Sequence, residues 1–238
     1  MELLLFLAGG GAVVLAERFR RRRLEREMAR ADLETVRTLA DEDVTILGEE
    51  LRRLDDRLAG HELDDDARLD YQKALDAYEA AGRTVRRLRS ADEVSLVADT
   101  LATGRHALAC VRARVAGVPV PEARPPCFFN PQHGPSVREV LWTQTGRGTR
   151  MVPACSQDAA RVAARERPEV RHVRIGSRKV PYWEAGAAFA PYARGYHVAM
   201  PAYVFDVYSA SFGADPGLFG HEDGGQVDLG AVGGEGGR

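Results

Sequence analysis

The chain has 238 residues, 45% hydrophobic, 29% charged and 7% aromatic, a composition that fills one or two domains and excludes both full disorder and a multidomain machine. A formal charge of -2 and an isoelectric point near 6.3 exclude nucleic-acid binding through overall charge. Three cysteines are too few for a disulfide framework, and the odd count fits a reducing compartment or a metal site.

Leu3 to Ala16 is an unbroken run of fourteen apolar or glycine residues, closed by Glu17 and Arg18. A bilayer span takes about 20 residues, so this run is short and needs Met1 and snorkelling arginines to extend it. A cleaved secretory signal wants positive charge before the apolar run. Here Glu2 precedes it, and Arg18, Arg20, Arg21, Arg22, Arg23, Arg26 and Arg30 follow. Because positive residues stay on the cytoplasmic side, the sequence predicts a single-pass anchor in the cell membrane with its basic flank over 1–31, everything after Arg18 being cytoplasmic. The arginine cluster serves as a topology signal and is also suited to anionic lipid.

Residues 32–117 read as an antiparallel three-helix bundle. Leu33, Val36, Ala40, Val44, Leu47, Leu51, Leu54 and Leu58 form one stripe, ended by Gly60. Asp64, Asp65 and Asp66 open a second helix with a stripe from Tyr71 to Leu88. Ser90 and Glu93 are spaced as a capping box for a third, striped by Val94, Val97, Leu101, Gly104, Leu108, Val111 and Val115. Cys110 lies one residue off that stripe and reads as a small buried hydrophobe. Thirteen acidic residues against four arginines between Asp32 and Asp66 face a basic second and third helix, so the bundle neutralises itself. The stripes hold no carboxylate pair and no Glu-x-x-His, which leaves a di-metal carboxylate site without ligands.

Pro119, Pro121, Pro125 and Pro126 make 118–126 an extended linker and a domain boundary. Residues 127–200 then read as a small ββαββ module with an aromatic extension. Val137 to Thr143 and Arg150 to Ala154 suggest one hairpin, Cys155 to Arg165 a short helix, and Val170 to Ile175 with Lys179 to Trp183 a second hairpin. The fold class expected is therefore α+β: an N-terminal membrane helix, the bundle, a zinc-finger-like module and a disordered Gly-rich tail.

The order of these parts predicts a metal centre. A turn carrying Cys127 and His133, a hairpin, and a helix start carrying Cys155 and Asp158 at i and i+3 bring four ligand-capable side chains together. A module this small needs a staple, and thiolate and imidazole ligands in a tetrahedral arrangement suit zinc. In layout the segment resembles the treble-clef zinc finger, with two departures: the first pair is C-x5-H, and Asp158 stands where a second helical Cys is expected. Two other readings stay open. Cys127 and Cys155 could form a disulfide, or Cys155, activated at a helix N-terminus with His133 as base, could be a nucleophile.

Pro125 to Ser136, then Val152, Pro153, Ala154, Cys155 and Asp158, then Val180, Pro181, Tyr182, Trp183, Tyr192 and Tyr196, resemble the shared C-terminal segment of actinobacterial membrane-anchored proteins of unknown function. Asp76 to Tyr78 and Gly104 to Ala113 are similar to their helical part, so the resemblance covers roughly residues 45 to 200. It implies an anchor and transfers no activity.

Ten of the aromatic residues lie beyond Val180, among Gly186, Pro191, Gly195 and Pro201, and read as an irregular segment laying its rings on the module. Residues 201–238, glycine-rich after Phe219, are expected to be irregular to disordered. No phosphate-binding loop, G-x-S-x-G or H-E-x-x-H occurs. The function expected is a non-catalytic, membrane-tethered cytoplasmic scaffold or adaptor for an unknown protein partner. The alternative is a thiol-dependent enzyme or redox sensor using Cys155 with His133. Arg161, Arg165, Arg167, Arg171, Arg174 and Arg178 form the basic set a nucleic acid would need, and nucleic acid is not the expected partner.

Overall fold

A computed structural model describes residues 2–144 and 148–197, with side chains from Ala16 onward. Among these the protein is mostly helical, with five α-helices and two small antiparallel sheets of two strands each. The helices are α1 (Glu2–Leu58), α2 (Asp65–Arg87), α3 (Val94–Val115), α4 (Ser156–Ala163) and α5 (Ala190–Tyr196). The strands are β1 (Arg138–Gln144) paired with β2 (Gly148–Ala154), and β3 (His172–Ile175) paired with β4 (Arg178–Pro181).

The expected α+β architecture with a membrane helix is corrected on two counts. Helix dominates the described residues, and none of their helices is long and apolar enough to cross a membrane. The single-pass placement with a cytoplasmic C-terminal part falls with it. The physical reason is length: fourteen apolar residues rise about 21 Å, against a hydrocarbon core of about 30 Å. No breaker follows Ala16. The Arg-, Glu-, Leu- and Met-rich stretch after it has high helix propensity, so the chain continues as the 57-residue α1 down to Gly60, whose φ of +85° ends it. The tail at 201–238 and its rings Tyr203, Phe205, Tyr208, Phe212 and Phe219 lie outside the described residues.

Helix covers all three stripes of the bundle, although Tyr78 and Val115, both on those stripes, are exposed. Asp64 caps α2 by accepting from the Ala67 amide at 2.7 Å. The capping box at Ser90 is only half made. Glu93 reaches back to the Arg89 amide at 2.9 Å, the Ser90 side chain makes no cap bond, and a 3-10 turn over Ala91–Glu93 leads into α3. Val36, Leu47, Val94, Val97, Leu101, Leu108 and Val111 are fully buried in the bundle. Gly104 marks a close helix contact, since a Cβ there would lie 3.0 Å from the Ala77 Cβ and 3.1 Å from Leu47 Cδ2. Cys110 is buried on α3, as its position beside the stripe predicts.

The module adds its own aromatic core, and the two cores are continuous. Phe128 stacks on Trp183 with ring centroids 4.7 Å apart, and Phe129 meets Trp142 edge-on at 5.1 Å. Tyr182 donates its hydroxyl to the Phe128 carbonyl at 2.8 Å. The rings of Tyr182, Trp183, Phe189, Tyr192 and Tyr196 are buried, and α5 packs directly on α3. Gly195 makes that approach feasible. A Cβ there would sit 2.7 Å from the Ala98 Cβ and against the Ser95 carbonyl of α3. Gly195→Ala is expected to lower stability by about 1–3 kcal/mol through overpacking, read as a fall in the thermal midpoint.

Candidate metal centre

Each of the four predicted ligands owes its place to local chain chemistry. Pro126 and Pro135 bridge as a short antiparallel pair, and within it the Cys127 amide donates to the Gly134 carbonyl at 3.0 Å. Asn130 caps the 3-10 turn Pro131–His133 by accepting from the Gln132 amide at 3.0 Å, and Gly134, at φ +82°, turns the chain back. The result is a knuckle that points Cys127 and His133 the same way. The Phe128 amide bonds the Pro153 carbonyl at 2.8 Å, which fixes the knuckle against the end of β2. One residue on, Cys155 is the N-cap of α4, its sulfur accepting from the Asp158 amide at 3.4 Å. That places Asp158 at the third helical position, on the same side as Cys155.

The four donor atoms lie within 4.8 Å of one another. Cys127 Sγ is 3.3 Å from Asp158 Oδ2, Cys155 Sγ is 3.5 Å from the same oxygen, and Cys155 Sγ is 3.6 Å from His133 Nδ1. A tetrahedron with metal–sulfur bonds of about 2.3 Å and metal–nitrogen or –oxygen bonds of about 2.0–2.1 Å has edges of about 3.3–3.8 Å. Those three separations fit it. The remaining measured edge, His133 Nδ1 to Asp158 Oδ2, is 2.9 Å, the length of a hydrogen bond. The centre is shielded: Cys127 and Asp158 are fully buried and Cys155 is 8% exposed.

Outer groups orient the ligands. Asp158 turns Oδ2 inward because Oδ1 is held by the Glu169 amide at 2.9 Å and the Arg161 guanidinium at 3.0 Å. His133 turns Nδ1 inward, and the acceptor facing its outward Nε2 is a Glu169 carboxylate oxygen at 3.6 Å, with Asn130 Nδ2 packed 3.2 Å away. Fixing the outward nitrogen and the outward oxygen is how metal sites orient imidazole and carboxylate ligands. Asn130, Arg161 and Glu169 were not anticipated from the sequence. Only Asn130, as an Asn before Pro at a turn, carried a local signal.

Without an ion, Cys127 and His133 keep their protons, which a bound cation would displace. The neighbouring Cys127 thiol, followed by the His133 imidazole, draws Cys155 down to about 5 against the effect of burial. Its hydrogen bond to Cys155 and its burial push Cys127 well up. Burial works to lower His133, yet its bonds to Asp158 and Cys155 raise it to about 10. Burial likewise works against the Asp158 carboxylate, but hydrogen bonds from His133, the Glu169 amide and Arg161 hold it below the usual range. Two acidic donors beside an imidazole are what a divalent cation replaces protons on. All three cysteines are free thiols, Cys127 and Cys155 included. The sequence and fold were compared with family models, curated proteins and solved structures, and nothing matched.

Proposed function

We propose that this protein is a non-catalytic scaffold or adaptor whose C-terminal module is built around one zinc ion. The observation that carries the reading is the convergence of two sulfurs, one nitrogen and one carboxylate oxygen, drawn from the knuckle and from the start of α4, inside 4.8 Å. A donor set of this softness and geometry favours zinc over magnesium or calcium, which take all-oxygen shells. One ion there would tie the knuckle, the β1–β2 hairpin and α4 into one body, a structural task that uses every donor and leaves no open position for a substrate.

The adaptor part of the reading draws support from the outer face of that hairpin. Leu141 and Met151 are cross-strand partners, 57% and 48% exposed. An exposed apolar cross-strand pair suits a protein partner. Arg161 and Arg171 are engaged inward, on Asp158 and Glu169 and on Glu42 and Asp43 respectively, which removes two cations from the set a nucleic acid would use.

A thiol enzyme or redox sensor is the second reading, favoured by Cys155 at about 5 with His133 Nδ1 3.6 Å away. One experiment separates the two. The full chain purified without added metal is expected to carry one zinc per chain, and its Cys127 and Cys155 to resist alkylation until a strong chelator is added. Fast alkylation of Cys155 alone, in metal-free protein that keeps its fold, would establish the thiol reading instead.

A further inference from the structure

A second heavily bonded carboxylate, besides that of Asp158, lies on α1, outside the metal centre. Asp43 is fully buried, and its carboxylate accepts four hydrogen bonds, two on each oxygen. Oδ2 takes the hydroxyls of Tyr192 and Tyr196 from α5, the latter at 2.8 Å. Oδ1 takes the Arg171 guanidinium at 3.0 Å and the Gln132 side-chain amide at 2.5 Å. Arg105 of α3 closes the cluster from the far side, bonding the Asp43 carbonyl at 3.2 Å and the Tyr196 hydroxyl at 3.3 Å.

Two of those partners belong to the ligand-bearing knuckle or hold it directly. Gln132 precedes His133 in the same 3-10 turn, and its backbone amide bonds the Asn130 side chain, which in turn touches His133 Nε2 at 3.2 Å. Arg171 donates its backbone amide to the Phe129 carbonyl at 2.8 Å, two residues from Cys127. Hydrogen bonds thus run from Asp43 through Gln132 to Asn130 in the turn that carries His133, and a second contact, from Arg171, holds the other arm of the knuckle. We infer that Asp43 is a positioning residue of the metal centre, so that the seating of α1 and the binding of zinc are linked. The inference rests on the zinc reading above. Its consequence is reciprocal: α1 in place tightens zinc binding, and zinc in place tightens α1 by the same factor. A partner that grips or displaces α1 would thereby load or unload the centre.

The test uses the full chain, with zinc affinity measured by competition against a chromophoric chelator and hydrogen exchange followed in α1 with and without zinc. Gln132→Ala cuts the chain of contacts while leaving Asp43, Arg171 and the tyrosines paired. It is expected to weaken zinc about tenfold, as removal of an outer-shell partner does. It should also weaken the zinc-dependent slowing of exchange in the turns around Asp43, the Arg171 contact remaining, and shift the visible bands of the cobalt-loaded protein. Asp43→Asn is expected to act in the same direction and more strongly; if that variant fails to fold, Gln132→Ala decides alone. Wild-type zinc affinity in a folded Gln132→Ala, with exchange around Asp43 responding to zinc as fully as in the wild type, would overturn the linkage and leave the zinc reading standing. A wild-type chain that takes up no zinc would overturn both.

Discussion

Cys127→Ser is expected to strip zinc from the protein, from one ion per chain to below about a tenth, and to melt the module while leaving the bundle helical. A hydroxyl is a far poorer zinc ligand than a thiolate, and the binding free energy of a structural zinc, about 10–16 kcal/mol in isolated finger peptides, is also folding free energy. The module has little to replace it. Its strands pair only in twos, and its aromatic core of Phe128, Phe129, Trp142 and Trp183 hangs on the residues that flank Cys127. The bundle, by contrast, buries its own stripes from Val36 to Val111. The expected signature is therefore split: far-ultraviolet circular dichroism nearly unchanged, near-ultraviolet aromatic signal and tryptophan fluorescence lost. Chelation of the wild-type protein should reproduce it. A Cys127→Ser protein with full zinc and native aromatic signals would remove that sulfur from the ligand set.

Asp43→Ala is expected to destabilise the whole chain by about 3–5 kcal/mol, the range seen when one partner of a buried charge network is removed. The substitution leaves the Gln132 amide and two tyrosine hydroxyls facing a void without their acceptor and the Arg171 guanidinium with Glu42 alone, and each buried polar group left unpaired adds its desolvation penalty. The clamp also joins pieces far apart in sequence: Gln132 is 89 residues from Asp43, Arg171 is 128, Tyr192 is 149 and Tyr196 is 153. Urea denaturation would show the midpoint falling in the bundle and the module together. If Asp43→Ala unfolds at the wild-type urea concentration, the carboxylate does not hold the two cores together.

Much of the helical part was readable in advance, because a stripe with steps of three and four needs no distant information. Asp64 as a cap and Gly60 as a stop are local chemistry of the same kind. The four candidate ligands were readable for a related reason: the order turn, hairpin, helix start leaves few ways to arrange Cys127, His133, Cys155 and Asp158, and the structure brings all four together. The N-terminal segment misled because hydropathy was judged over a run too short to span, and because Arg18 to Arg30 suggested a membrane flank although the same residues propagate a helix well.

Asp43 was illegible. Between Glu42 and Val44 in an acidic run it reads as a solvated helix face, and nothing within ten residues announces that its partners arrive from the other end of the chain. Glu169, which orients Asp158 through its amide and approaches His133 with its carboxylate, was hidden likewise, since a backbone donor leaves no mark in a sequence. The anchoring of α5 through Gly195 belongs with them. A glycine in an aromatic segment reads as a helix breaker, whereas here it lets two backbones meet.

X-ray absorption at the zinc edge, recorded on the full chain as purified, tests the metal centre most directly. The donor set of Cys127, His133, Cys155 and Asp158 predicts a four-coordinate zinc with two sulfurs at about 2.3 Å and two nitrogen or oxygen neighbours at about 2.0–2.1 Å. A zinc bound only by nitrogen and oxygen, or an edge too weak to account for one ion per chain, would contradict it.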